Sequence, residues 1–222
     1  MNGPAFPPVH RDVNLASIRK YRRKAAAYDS TTGRTARLRV RTVAQLALRS
    51  GDVVVDAGCG TGLSLPLLLE QVGPSGRVIG IDQCPEMVAL ARRRVAEHGW
   101  QNVLLVEGPI QQVALPERFD AILFNYTHDI CRCERAIANL FRNAKPGARV
   151  AIAGMKFFPW WAGPLNLYAY FKNLAWNGSA SGMWTPWDIV ARYVPDLRVQ
   201  STQIGMGYIG SGHYRDGPAA AA

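Results

Sequence analysis

"VVDAGCGTG" (residues 54–62) sets an aspartate at the end of a β-branched run and then a glycine at every second position: Gly58, Gly60 and Gly62. Glycines so spaced belong to a backbone that turns with positive φ or is approached too closely for side chains. "DVVVD" (52–56), opened by Gly51, reads as a strand and "LSLPLLLEQV" (63–72) as a helix, so the glycines form a strand-to-helix turn. Two ligand classes suit such a turn, a dinucleotide or an adenosyl sulfonium. The dinucleotide fingerprint is G-x-G-x-x-G, and its third glycine position here holds Leu63. A pyrophosphate would also meet Asp56 as a like charge. The ammonium and sulfonium of S-adenosylmethionine tolerate or favour an acid. Asp82, at the end of the next strand, is placed to accept from ribose hydroxyls.

Outward from this turn the pattern alternates. "RVIGID" (77–82) reads as a strand, and Pro85 as the first position of a helix that runs to Gly99. "NVLLVE" (102–107), "FDAILFN" (119–125) and "ARVAIAGM" (148–155) read as further strands, with a helix over about 130–144 before the last. Ahead of the turn, residues 13–28 and 34–49 read as helices, the second with Ala36, Val40, Val43 and Ala47 on one face. After residue 155 the pattern breaks for some thirty residues. The short helix "PWDIVARYV" (186–194) then precedes "LRVQSTQIG" and "MGYIGSGHYR", an antiparallel hairpin. This is an α/β chain: a Rossmann-like open sheet, mainly parallel, with helices on both faces and a C-terminal antiparallel hairpin. The expected organisation is a basic helical arm (1–50), a cofactor-binding core (51–155), and an acceptor lid with the final strands of the same domain (156–222). Ligands of such sheets lie beyond the carboxyl ends of the strands, so Asp56–Gly62, Asp82–Cys84, Glu107–Ile110 and Asn125–Asp129 should line one crevice.

"VVDAGCGTG" followed by "GIDQCPEMVALAR" (80–92) resembles motif I and the acidic loop of class I S-adenosylmethionine-dependent methyltransferases. "YRRKAAAYD" (21–29) is similar to the N-terminal helix of the ubiquinone/menaquinone-type small-molecule members. The resemblance covers roughly residues 20–155 and implies S-adenosylmethionine as cofactor. It puts Asp56, Gly58, Cys59, Gly60 and Gly62 along the methionine half and Asp82 on the ribose. Gln83 and Met87 would lie along the adenosine, Gly108 and Ile110 by the ring, and Asn125 at the end of strand four. Tyr28 and Asp29 would help to cover the cofactor. One departure stands out: the acid that usually accepts from the adenine amino group is replaced by Pro109. That amino group must turn to Glu107, Gln111 or water, with the Ile110 N–H as donor to the ring.

Methyl transfer is an in-line displacement governed mainly by alignment. An amine attacks unaided, whereas a hydroxyl or an acidic carbon needs a base. "NYTHDICR" (125–132) supplies the candidates: His128 as base and Tyr126 facing the sulfonium. The competing reading makes His128 a helix-start residue with Asp129 as N-cap. Cys131 and Cys133 lack the second pair a structural zinc site requires, so no metal is expected. A soft metalloid such as arsenite would need a further thiol, which only Cys59 or Cys84 could bring. Five of the six tryptophans fall within residues 157–193. That segment reads as a lid over an apolar acceptor, with Trp160, Trp161 and Trp184, together with Tyr21 of the arm, as acceptor contacts.

Length and composition bound these readings. A chain of 222 residues, 48% hydrophobic and 19% charged, suits one well-buried domain. The first ten residues show no apolar run behind a basic start, and the four cysteines no scaffold spacing, so a reducing cytoplasm is expected. The net charge of +10 is concentrated: residues 11–49 hold eleven Lys/Arg against Asp12 and Asp29. That arm is either a solvated helical face or an attractor of an anionic partner, which would put the chain at the periphery of a membrane. Nucleic acid fits less well, because strand four ends in "NYTHD" and not in the N/D-P-P-aromatic signature of amino-methylating nucleic-acid enzymes. The expected acceptor is a small, largely apolar or aromatic molecule. A lipid such as a quinone precursor or aminophospholipid is the alternative. RNA methylation and non-catalytic cofactor binding stand as other classes. The sequence says nothing of oligomeric state.

Overall fold

A computed structural model of the chain describes residues 35–158, 162–174 and 182–215. Strand β1 (Val53–Ala57) pairs in parallel with β2 (Arg77–Asp82) on one side and β4 (Phe119–Asn125) on the other. Beyond β2 lies β3 (Val103–Glu107), and beyond β4 lies β5 (Ala144–Met155), both parallel to their neighbours. Strand β7 (Gly207–His213) runs antiparallel between β5 and β6 (Arg198–Thr202). The sheet order is β3-β2-β1-β4-β5-β7-β6. This is the mainly parallel open sheet with a C-terminal antiparallel hairpin that the alternating pattern predicts.

Successive strand residues face opposite sides, and both sides are dry. Val54, Val78, Leu123 and Ala151 meet Val43 and Leu46, which belong to and follow α1 (Ala36–Ala44), and Leu65, Leu68 and Val72 of α2 (Leu65–Val72). Val55, Ile79, Ile81, Phe124 and Ile152 meet Ile137 and Leu140, on a helix described below, and the fully buried Tyr208 of β7. Each buried Leu or Ile contributes about 1.5–3 kcal/mol relative to exposure. The remaining helix of the core, α3 (Pro85–Glu97), opens on its proline as expected and buries Met87, Val88 and Ala91. Edge strand β3 departs from the expectation of buried strands, because only one neighbour covers it and its residues stay partly exposed.

Four local expectations are corrected. The helix expected over 130–144 is two helices, α4 (His128–Cys131) and α5 (Glu134–Phe141), divided where Cys133 takes an extended conformation. Strand β5 begins four residues early, running through "KPG" with a register shift opposite Phe119–Ala121. The patternless stretch after β5 contains α6 (Gly163–Leu174), ahead of the short α7 (Asp188–Ala191). The expected face of α1 is also wrong: Ala36, Val40 and Ala47 are exposed, while Leu38, Arg39, Thr42 and Val43 are buried. The helix expected over 13–28 lies outside the described residues.

Candidate functional site

The chain leaves β1 for β2 and β3, then returns as β4 on the other side of β1, so a crevice opens at the carboxyl ends of β1 and β4. The four segments expected there follow β1, β2, β3 and β4 at this one edge.

The glycine turn is held from within. The N–H groups of Gly58 and Cys59 both donate to the Ile81 carbonyl, at 2.8 and 2.9 Å. That of Gly62 donates to the Cys59 carbonyl at 2.9 Å, and that of Gly60 to Asp82 Oδ2 at 2.9 Å. A phosphate loop presents converging N–H groups to its ligand. Here these four donors are already engaged, so the turn is built for something other than phosphate. The three glycines also differ in what they allow. A Cβ on Gly58 would lie 2.5 Å from Thr127 Cγ2, and one on Gly62 would lie 2.7 Å from Leu65 Cδ1. A Cβ on Gly60 meets nothing within 4 Å among the described residues. Gly58 thus makes room for the residues around α4, Gly62 for α2, and Gly60 alone borders open space.

At the ends of β1 and β4 stand two buried polar atoms without hydrogen-bond partners among the described residues, Asp56 Oδ2 and Asn125 Oδ1. Asp56 is 1% exposed. Burial pushes its carboxyl up to about 7, the Arg39 guanidinium pulls it back, and Asp82 adds a further push. An unpartnered acid in this position is matched by a cationic ligand, which restores the carboxylate and pairs with it. Asp82, raised by burial, accepts from Cys84 N–H through Oδ1 at 2.8 Å and from Gly60 N–H through Oδ2. It therefore ties the glycine turn to the start of α3. Cys59 is buried against β2, where a Cβ on Gly80 would lie 3.0 Å from its sulfur.

At the end of β3, Gly108 N–H donates to the Asp82 carbonyl at 2.9 Å, and Glu107 pairs with Arg92 at 3.1 Å. The Pro109 carbonyl closes a turn with Gln112 N–H at 2.8 Å, and the Ile110 carbonyl accepts from Asn139 at 2.7 Å. Met87 is buried and Gln83 half-buried.

At the end of β4, Tyr126 has a left-handed backbone (φ 61), and its hydroxyl accepts from Gln203 Nε2 at 3.2 Å. Burial raises its pKa. His128 is buried, with Nε2 at 3.0 Å from the Met155 nitrogen and 2.8 Å from the Met155 oxygen. Burial lowers its pKa, while the Met155 backbone bond works against that shift. A Cβ on Gly154 would lie 2.8 Å from the ring, so glycine there makes space for the imidazole. The N-cap of α4 is Thr127, and Asp129 sits inside the first turn, which corrects the expected cap.

Cys131 is buried, its thiol pushed up to about 12 by burial, with Thr127 Oγ1 3.9 Å away. Among the described residues no group of three or more His, Cys, Asp or Glu side chains converges. Trp184 is 50% exposed and meets Phe157 edge-on at 5.3 Å. Trp187 instead packs on Tyr208 at 4.7 Å, and Tyr193 stacks on Phe141 at 4.9 Å, so these two aromatics serve the core. Tyr21, Tyr28, Asp29, Trp160 and Trp161 lie outside the described residues.

Sequence reasoning missed Arg39 and Gln203. In the sequence Arg39 counts among the basic residues of the arm, yet it stands three and four residues before Thr42 and Val43 on the buried face of α1, a signal the spacing does carry. Gln203 sits in a turn with φ 51, where nothing in its residue type announces a role.

A family model described as "Methyltransferase domain" matches residues 48–179. The chain is 34% identical over 109 residues to an arsenite methyltransferase of Halobacterium salinarum, covering 48% of this chain and 28% of that protein. It is 33% identical over 110 residues to a demethylmenaquinone methyltransferase of Symbiobacterium thermophilum, covering 48% of this chain and 44% of that protein. The match thus spans less than half the length of either relative. In fold, the chain is similar to a SAM-dependent methyltransferase from Aquifex aeolicus, with TM-score 0.61, 24% identity, and coverage of 86% of this chain and 98% of that one.

Proposed function

Because the chain belongs to the methyltransferase-domain family and has the fold of the class I, S-adenosylmethionine-dependent enzymes, we propose that it moves a methyl group to an N, O or C atom of a small, largely apolar or aromatic acceptor. The observation that carries this reading is the buried carboxylate oxygen of Asp56, unpartnered among the described residues, at the end of β1 before a glycine turn whose N–H groups are engaged internally. Bound there, S-adenosylmethionine supplies a methyl group on a positively charged sulfur, open to in-line displacement.

The residues of the chain bind and orient. Asp56 pairs with the ammonium, and Asn125 Oδ1 offers a second buried acceptor. Asp82 keeps lone pairs for ribose hydroxyls beside the two backbone N–H groups it holds, since an ionised carboxyl has about four such sites. Tyr126 presents its ring and hydroxyl at the mouth of the crevice, where the ring suits a cation. His128, joined to Met155, acts as a positioning residue that pins the β4–α4 turn to β5. Its alternative role as general base for a hydroxyl or carbon acid is separable by the pH profile given in the Discussion. The buried, strongly raised Cys131 thiol favours an organic acceptor over a soft metalloid.

Calorimetric titration with S-adenosylmethionine, its demethylated product and NAD tests the cofactor. Asp82→Ala removes a charge-assisted acceptor, so S-adenosylmethionine affinity should fall roughly tenfold or more. Unchanged affinity, or tighter binding of NAD than of S-adenosylmethionine, would overturn the reading.

A further inference from the structure

Ile204 is 99% exposed, and its backbone lies at φ 57, ψ 29. A β-branched residue enters that region only at a cost, and glycine or asparagine is the usual occupant. Its neighbours have reasons to be there: Gln203 (φ 51) bonds Tyr126, and Gly205 (φ 98) carries no side chain. Ile204 is strained, apolar and almost fully exposed at once, and among the described residues nothing covers it to offset either cost.

Its surroundings share the character. Gly205 abuts Phe158, whose ring would lie 3.4 Å from a Cβ there. The Phe158 carbonyl accepts from Asn166 of α6 at 3.2 Å. The preceding Phe157 donates its N–H to Met183 at 2.8 Å and meets Trp184 edge-on. Residues 157 and 158 therefore gather the β6–β7 turn, α6 and the Trp184 segment. Each brings exposed apolar surface: Ile204; Leu167 with Tyr170 one turn along; and Trp184. Single exposed apolar residues are ordinary, whereas three segments converging on one rim form a patch.

The patch borders the crevice. Met155, the last residue of β5, pairs with Gly207, so the β6–β7 turn hangs over the carboxyl edge of the sheet, where Gln203 reaches Tyr126. One cation, Lys156, stands at the same edge. Lys156 directly precedes the two phenylalanines, and Leu38 of α1 packs there with Ala153, Ile209 and Tyr126. The 34 residues that lead into α1 carry seven Lys/Arg against two Asp.

We propose that this rim, with Ile204 at its tip, is a docking surface for an anionic lipid bilayer, which turns the mouth of the crevice toward the membrane. Ile204 inserts among acyl chains, the Trp184 and Tyr170 rings suit the headgroup boundary, and Lys156 faces anionic headgroups. The surface rests on the methyltransferase reading only for what the mouth admits, not for the docking.

The test uses the full chain with vesicles of phosphatidylcholine alone and of phosphatidylcholine mixed with phosphatidylglycerol. Wild type should sediment with the mixed vesicles and shift its tryptophan emission to the blue. Asn accepts the left-handed conformation, so Ile204→Asn should melt at the same temperature or higher, yet partition about tenfold more weakly. That ratio should persist near ~0.5 M salt, where headgroup attraction is screened. Equal partitioning of wild type and Ile204→Asn, or no sedimentation of wild type, would overturn the proposal. So would concentration-dependent self-association that Ile204→Asn abolishes, because a second copy of the chain would then be the partner. S-adenosylmethionine titration should be identical for the two proteins. Failure of wild type to bind it would count against the methyltransferase reading and leave the docking result intact.

Discussion

Asp56 links the site to pH. Its folded carboxyl is raised from 3.8 to about 7, so between those values the folded chain holds a proton that the unfolded chain releases. Stability of the ligand-free protein should therefore decline as pH rises from about 4 to 7 and level off above that. Asp56→Asn removes the liability, and its melting temperature should exceed wild type at pH ~8 and match it near pH ~4. A cation bound beside Asp56 demands the ionised form. S-adenosylmethionine should then bind more tightly as pH rises toward about 7, with proton release measurable by calorimetry in buffers of different ionisation enthalpy, and Asp56→Asn should lose both effects. The glycines separate stability from binding in the same way. Gly58→Ala drives a methyl group into Thr127 and Ile130 and should cost about 1–3 kcal/mol in denaturant melts. Gly60→Ala faces open space and pays only for its left-handed backbone, about 1–2 kcal/mol, but should weaken cofactor affinity strongly.

Helix α4 is short, and its attachment to β5 runs through His128. Replacing His128 by Ala removes the Nε2 contact to Met155 and opens a cavity beside Gly154 and Tyr208, so a loss of about 2–4 kcal/mol is expected. If His128 only positions, the surviving rate should keep the wild-type pH profile; a base would carry its own ionisation out of that profile with it. How legible such elements are depends on what determines them. β2 and β4 were read to their exact ends, because buried β-branched and aromatic runs bounded by Gly, Asp or Asn leave little choice. The α4–α5 break was not legible, since "DICRCERAIANLF" is helical by pattern and the extended Cys133 follows from how the two pieces pack. The face of α1 differs from the expected one because Arg39 is buried on the side toward the sheet, near enough to Asp56 of β1 to lower its carboxyl, an influence visible only once the helix lies on the sheet. In the site, the acids and glycines at the strand ends were legible as residue types. That only Gly60 opens to space, and that Gln203 meets Tyr126 from 77 residues away, required tertiary structure.

Across the whole molecule, the edge opposite the crevice is closed by charge. Arg149 of β5 donates to Asp52 Oδ2 at 2.6 Å and to the Ala47 carbonyl at 2.8 Å, joining the segment after α1 to the entry of β1. Both charged side chains are largely buried, so Arg149→Met leaves Asp52 short of its partner. It should lower stability by about 1–3 kcal/mol while leaving S-adenosylmethionine affinity unchanged, because no part of it reaches the crevice. The position of β7 carries a different consequence. Among the described strands it follows all the others in sequence, yet it lies between β5 and β6, and its Tyr208 fills the core under α7. A nascent chain that has emerged only as far as β6 has nowhere to lodge that strand, and β5 meanwhile offers the ribosome's surroundings a bare apolar edge. Final closure of this sheet must therefore wait until β7 clears the exit tunnel. Messages truncated before Gly207 should yield chains that chaperones retain or that aggregate, not a smaller folded protein.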